Sequence, residues 1–127
     1  MKTPPELTWE WLFRFHAQHK ETVQKALELV PQQAEWAKRE LEMSERLNAV
    51  ISRLYEHPQL KEYVPMQSMM CLRWFPAEDC GILLHYDYSI GTFIIRIRSR
   101  DDVEEKAVAL EDAADEIYAY ITKLRND

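Results

Sequence analysis

Charged side chains at alternate positions are the feature of this sequence most capable of chemistry. His85 and Asp87 are two residues apart, and Arg96 and Arg98 repeat that spacing. Arg73 lies in a similar alternating run. In an extended strand, residues two apart point to the same face. A histidine beside a carboxylate could move a proton, and neighbouring arginines could hold a phosphate or carboxylate. The same residues also fit a solvated sheet face with ordinary cross-strand ion pairs.

The central part of the chain predicts the sheet that such side chains require. Beyond position 65, apolar residues recur at alternate positions, and short turn segments with Gly, Pro or Ser separate the runs. The pattern predicts a three-stranded antiparallel meander with strands at about 66–75, 82–88 and 92–98. One face is apolar, and the opposite face carries the charged side chains named above.

Two helices are predicted before the sheet. Apolar residues recur every three or four positions over about 9–29, as expected for a helix with one buried face. Pro31 suits the first turn of a second helix over about 31–56. This helix ends before Pro58, because the residue that precedes a proline is disfavoured in the α conformation.

The C-terminal segment predicts an acidic amphipathic helix over about 102–124. Its apolar residues follow one another at steps of four and three: Val103, Ala107, Leu110, Ala114, Ile117, Ile121 and Leu124. Asp102 and Glu105 have the spacing of an acidic capping box, which would favour a helix start there. We expect this helix to pack on the apolar face of the sheet.

Length and composition indicate one α+β domain over 1–127, with residues 1–7 as a flexible leader. The start of the chain lacks the apolar stretch of a signal peptide, and no apolar run is long enough to span a bilayer. Cys71 and Cys80 do not form a CxxC pair and are expected to be free thiols. We therefore expect a cytoplasmic protein with no membrane association.

The net charge of −6 is concentrated at one end of the chain. Residues 101–127 contain 3 Lys or Arg against 9 Asp or Glu, a difference that equals the whole net charge. Such a chain lacks the basic excess that neutralises phosphates, so general nucleic-acid binding is not expected. The outer acids of the last segment, Glu104, Glu111 and Asp115, are candidates for contact with a basic protein partner.

Aromatic residues crowd the start of the first helix and suggest a second contact surface. Trp11 and Phe15 are one turn apart and cannot share the inward stripe of their helix. Their side chains require a second surface to be buried against, which a partner protein, a second subunit or the monomer itself could supply.

Metal and cofactor sites are not expected. His16 and His19 have a possible ligand spacing, but no third ligand matches them. Acidic residues at Glu42 and Glu45, with four more between 111 and 116, resemble the paired acids of the all-α nucleotide pyrophosphohydrolases, which bind Mg²⁺. The spacing and the predicted sheet depart from that family's pattern. Solvated helix faces explain the same acids.

The leading hypothesis is a small acidic module that binds another protein and inhibits or chaperones it. No glycine-rich phosphate loop, nucleophile elbow or zinc motif is present, which disfavours a standard enzyme. One alternative is a small-ligand enzyme or sensor that uses the polar sheet face. Another is a structural homodimer joined through the first two helices.

Overall fold

A computed structural model describes residues 8–68 and 70–126, which form three helices and five strands. The helices are α1 (Trp9–Leu29), α2 (Ala34–Glu56) and α3 (Leu110–Asn126), with a 3-10 turn at Pro31–Gln33. The strands are β1 (Met66–Ser68), β2 (Cys71–Trp74), β3 (Cys80–Asp87), β4 (Thr92–Ser99) and β5 (Asp102–Val108). The predicted α+β class is confirmed. The predicted leader over 1–7 lies outside the described residues.

The five strands form one antiparallel sheet in the order β1-β2-β3-β4-β5. Apolar residues of neighbouring strands meet in register, as Leu84 with Ile95 and Tyr86 with Phe93. We call this side of the sheet the inner face and the opposite side the outer face. The predicted alternation in β3 and β4 is confirmed, since inward residues are buried and their neighbours are more exposed.

The core lies between the inner face and two helices. Helices α2 and α3 contact β3, α3 also contacts β4, and α1 packs on α2. Leu47, Leu84, Ile95 and Ile117, from four of these elements, are all 0% exposed. Full burial of such a side chain contributes roughly 1.5 to 3 kcal/mol. Among the described residues, the side chains of β3 and β4 that are buried beneath these helices all belong to the inner face.

Helix α1 has the predicted bounds, whereas the second helix begins later than expected. The Thr8 side chain accepts a hydrogen bond of 3.1 Å from the Trp11 backbone N–H, which caps α1. Residues 31–33 form the 3-10 turn, and α2 starts only at Ala34. The proline thus opens a tight connection between two antiparallel helices rather than the helix itself.

The predicted strand over 66–75 is wrong in its continuity. The segment folds back on itself as the hairpin of β1 and β2, with Met66 opposite Arg73 and Ser68 opposite Cys71. No Gly or Pro marks this reversal in the sequence. Alternation alone therefore could not separate one long strand from a tight hairpin.

The predicted helix over 102–124 is wrong in its first third. Residues Asp102–Val108 form β5, and α3 begins at Leu110. Seven consecutive register pairs join β5 to β4, so tertiary hydrogen bonding overrides the helix-favouring composition of this segment. The expected capping box therefore does not exist. The later apolar positions, from Ala114 to Leu124, do face the core as predicted.

None of the described helices has both the length and the apolar character needed to cross a membrane.

Candidate functional site

A wide, open concavity of about 1060 Å³ lies on the outer face, near the turns that precede β3 and β5. Four arginines contribute to its walls: Arg73, Arg96, Arg98 and Arg100. Three of them belong to the predicted polar face, and they come from β2 and β4. The structure thus brings together cations that are up to 27 positions apart in the chain.

One row of outward residues crosses the sheet through the concavity. Leu83 on β3 lies in register between Arg73 on β2 and Arg96 on β4. The Nε atom of Arg96 lies 3.6 Å from Oε1 of Glu105 on β5. Because both side chains of this pair are more than half exposed, at 54% and 59%, solvent screens their attraction. Arg96 therefore keeps donors available to a ligand.

The next row holds Arg98. It lies in register between Gly81 on β3 and Val103 on β5. Because Gly81 has no side chain, the concavity is deeper beside this exposed arginine. A Cβ at this position would meet only ordinary contacts, with the Trp74 carbonyl at 3.7 Å and the Phe75 ring at 3.8 Å. The glycine shapes the floor without being required by the backbone.

Two neighbouring turns form the rim that carries Arg100. The backbone N–H of Arg100 donates to the Asp79 carbonyl at 3.2 Å. Both residues have left-handed backbones, with φ of 53° at Arg100 and 60° at Asp79. This conformation is uncommon outside glycine, and the hydrogen bond between the turns helps to hold it. The fourth arginine is therefore placed by tertiary structure.

Exposed apolar groups line the same concavity. Phe75 is 63% exposed and Val103 is 53% exposed. Arginine guanidinium groups stack favourably on aromatic rings as well as pairing with carboxylates. The combination offers an anionic ligand both charge pairing and apolar contact.

His85 and Asp87, the predicted proton-transfer pair, do not line this concavity. His85 lies in register with Cys71 and Ile94 further along the outer face. The Asp87 carboxylate accepts hydrogen bonds from the Ser89 hydroxyl at 2.6 Å and the Ser89 N–H at 3.0 Å. These bonds, led by the hydroxyl, lower the pKa of Asp87. Asp87 therefore stabilises the turn between β3 and β4.

Sequence reasoning missed Arg100 and Phe75 as parts of this site. Arg100 continues the alternation of Arg96 and Arg98, and that spacing was the available signal. Arg100 lies beyond the predicted end of the strand at position 98, in the turn that follows β4. Phe75 alternates with Arg73, but only the strand register brings it close to Arg98 and Arg100.

Trp11 and Phe15, the predicted aromatic contacts on α1, stack on each other. Their ring centroids are 5.2 Å apart with planes inclined by 20°. Phe15 also stacks on the His19 ring at 6.3 Å, and Nε2 of His19 lies 3.2 Å from Oε2 of Glu40 on α2. Both aromatic side chains are half-buried. Of the three sources of burial left open by the sequence, contacts within the chain itself therefore supply a part.

The predicted acidic contacts lie on two elements rather than on one helix. Glu104 is an exposed residue of β5, whereas Glu111 and Asp115 are exposed on α3. Oδ1 of Asp115 accepts a 3.1 Å hydrogen bond from Nε2 of His57. The other ring nitrogen of His57 accepts from the Gln59 N–H at 3.2 Å, which places the proton on Nε2. The functional roles of these acids stay predictions.

No group of three or more His, Cys, Asp or Glu side chains within residues 8–68 and 70–126 is arranged to hold a metal ion. The acids that resemble those of the nucleotide pyrophosphohydrolases form no such group. The two cysteines, Cys71 and Cys80, are free thiols, and burial raises the pKa of Cys71 although Arg73 opposes this.

Comparisons with protein-family models, with curated proteins and with solved structures find no significant match to this chain.

Proposed function

We propose that this chain is a protein-binding module whose outer sheet face binds an acidic segment of another protein. The observation that carries the proposal is the arginine-lined concavity, which combines four guanidinium groups with exposed apolar side chains on one open surface. Binding at this surface would allow the module to inhibit or chaperone its partner. We place this activity in the cytoplasm, in keeping with the free thiols.

The local charge of the concavity supports an anionic partner. Its lining contains four arginines but only two acids, Asp79 and Asp101, and Glu105 adds a third acid nearby. Each guanidinium presents a planar set of donors that matches a carboxylate in two-point geometry. Although the net charge of the protein is −6, this part of the outer face is cationic. Its charge is opposite in sign to that of α3.

The open shape favours a polypeptide over a small molecule. Small-molecule sites usually bury most of their ligand's surface, whereas this concavity is broad and open to solvent. Phe75 offers an aromatic contact of the kind that dominates protein interfaces. Because His85 and Asp87 lie elsewhere, the concavity lacks the acid–base pair that the enzyme hypothesis requires. A partner segment with acidic and aromatic residues fits it best.

Binding of a fluorescent peptide rich in Glu and Tyr tests this proposal. We expect the double substitution Arg96→Gln/Arg98→Gln to weaken binding by about tenfold or more, since two charge-assisted contacts are lost. The matched control is Arg14→Gln/Arg53→Gln, which removes the same charge from exposed positions on α1 and α2. The control variant should bind like the wild type.

Three other ligands test whether binding is specific for an acidic peptide. A Lys-rich peptide should not bind, and free phosphate should not compete at concentrations that match the peptide's carboxylates. Tighter binding of a single-stranded oligonucleotide through the same arginines would indicate a nucleic-acid site and contradict the proposal. Equal peptide binding by the wild type and the Arg96→Gln/Arg98→Gln variant would contradict it as well.

The aromatic stack of α1 is proposed as a second contact area for the same kind of partner. Trp11 and Phe15 remain half-buried, so part of each ring is open to solvent. The acids Glu111 and Asp115 are exposed on α3 and remain proposed contacts for basic groups.

A further inference from the structure

Within residues 8–68 and 70–126, strand β5 lies at the edge of the sheet and pairs in a complete, regular register on one side only. It pairs with β4 from Phe93 opposite Val108 to Ser99 opposite Asp102, without a bulge. Residues 102–107 are exposed, and the strand contains no proline. Every second residue of an edge strand points its backbone N–H and C=O groups away from the sheet, where a further strand can bind them.

The opposite edge of the sheet does not offer an equivalent surface. Strand β1 has 3 residues, against 7 in β5. Its middle residue, Gln67, is bound to His16 of α1. A strand added to this sheet therefore finds its longest template at β5.

We propose that β5 pairs antiparallel with β5 of a second copy of this chain, about a two-fold axis that passes through Glu105. Residue 105 is the midpoint of the strand 102–108, so only this register lets both strands overlap along their full length. A two-fold axis perpendicular to the sheet pairs inner residues of one copy with inner residues of the other. This is possible only if one residue lies on the axis and pairs with its own copy. The joined sheet has ten strands.

The charges of β5 are complementary to themselves in this register. Glu104 of one copy lies opposite Lys106 of the second copy, and symmetry repeats the same pair on the other side of the axis. Both residues point to the inner side of the sheet, since they are in register with Ile97 and Ile95. On the outer side, Val103 meets Ala107 of the second copy. Opposite charges and apolar side chains facing each other both favour pairing.

Glu105 is the one residue that meets its own charge in this arrangement. Two carboxylates face each other at the axis, which disfavours association. Oε1 of each Glu105 lies 3.6 Å from Nε of Arg96 on the neighbouring strand of its own copy. The two carboxylates at the axis are therefore flanked by one arginine on each side. The substitution Glu105→Gln removes the repulsion and retains an acceptor for Arg96. It should therefore tighten the dimer.

Charge reversal tests the register directly. In sedimentation velocity over a concentration series, the wild type should show a reversible equilibrium between monomer and dimer. Glu104→Lys and Lys106→Glu each place like charges opposite one another twice, and each should weaken dimerisation by about tenfold. An equimolar mixture of these two variants restores both opposite-charge pairs. The mixture should dimerise like the wild type.

Controls separate this interface from other ways to dimerise. Lys106 also binds Glu116 of α3 within its own chain, with Nζ to Oε2 at 3.0 Å. Glu116→Gln removes that intramolecular pair without changing the proposed interface, so dimerisation should persist. A wild type that stays monomeric up to about 1 mM would overturn the proposal. A dimer that is indifferent to both single reversals would overturn it too, because its contact would lie elsewhere.

This interface is independent of the proposed acidic partner. The test above contains no peptide, and the peptide test uses variants outside β5. A dimer would place two arginine-lined concavities on the same face of one sheet, each bordered by its own Val103 near the axis. Failure of either experiment leaves the other interpretable.

Discussion

His16 on α1 and Gln67 on β1 are joined by a contact of 2.9 Å between Nε2 and Oε1. Because an amide oxygen only accepts, Nε2 carries the proton and Nδ1 is a bare acceptor. His16 is 0% exposed, and Nδ1 has no partner within the described part of the chain. A positive charge on this ring would be buried without a second hydrogen-bond acceptor. The pairing therefore fits a neutral imidazole in the folded state.

Acidification should destabilise the protein through His16. Burial is the largest influence on its pKa and lowers it from 6.5, while the Gln67 contact opposes this and nearby His19 lowers it further. Below about pH 6.5 the unfolded chain gains a proton that the folded chain resists. The free energy of unfolding should thus fall as the pH drops through this value, and flatten once the folded-state pKa is passed.

Urea denaturation between about pH 8 and pH 5 measures this dependence. The His16→Leu variant should lose that part of the pH dependence, even if its stability at neutral pH is reduced. His85→Gln, which changes a half-exposed histidine on the outer face, should retain it. An unchanged slope in His16→Leu would contradict the assignment.

Two glycines should respond differently to alanine. Gly91 has φ of +70° in the turn between β3 and β4, a conformation that strains any L side chain, so Gly91→Ala should cost about 1 to 2 kcal/mol. At Gly81 the added methyl group meets only ordinary contacts and φ is not positive, so Gly81→Ala should cost less. Thermal denaturation of both variants gives the comparison. Equal losses would contradict the role of backbone strain.

Neighbouring isoleucines on β4 should differ because they face opposite sides of the sheet. Ile95 is 0% exposed on the inner face, so Ile95→Ala should destabilise the fold by roughly 2 to 5 kcal/mol. Ile94 is half-buried on the outer face, and the same substitution there should cost clearly less. Chemical denaturation measures both losses. A larger loss at Ile94 would mean that the outer face is covered.

The hydrogen bond between His57 and Asp115 should contribute little to stability. The Asp115 side chain is 83% exposed, although that of His57 is only 13% exposed. Solvent screens such a pair, so Asp115→Ala should change the free energy of unfolding by about 1 kcal/mol or less. A near-neutral result in thermal denaturation would show that this acid is free to serve a partner. A large loss would identify it as a structural residue.

The α1 stack should matter for partner capture more than for folding. We expect Trp11→Ala/Phe15→Ala to lose partners in an affinity pull-down from the native host, while retaining a cooperative unfolding transition. Ala17→Ser/Gln18→Ala serves as a control on exposed positions of the same helix. Identical partner lists for the wild type and the aromatic variant would contradict the proposed contact.

The spacing of apolar residues predicted the helices and strands that bury one face in the core. Helix α1 has the bounds expected from its apolar repeat, and Phe93, Ile95 and Ile97 point inward as their alternation indicated. These predictions succeed because a buried face imposes its period on the local sequence. The α+β class follows from the change of period along the chain.

The strand conformation of residues 102–108 depends on tertiary structure. Val103, Ala107 and Leu110 continue a helical repeat, and the residues between them favour helix. The free edge of β4 nevertheless binds this segment as β5 after a turn in which Arg100 has a left-handed backbone. Local propensity is worth only fractions of a kcal/mol per residue, so a long-range ladder of hydrogen bonds decides the outcome.

The sequence by itself determined that arginines alternate on one polar sheet face, that the net charge lies in the last segment and that the core repeats are helical or extended. Only the tertiary structure decided that Arg73, Arg96, Arg98 and Arg100 border one concavity and that the Asp87 carboxylate binds the turn after β3. The physical reason is that strand register and turn conformation set distances between residues far apart in the chain. Neither quantity is encoded by local periodicity.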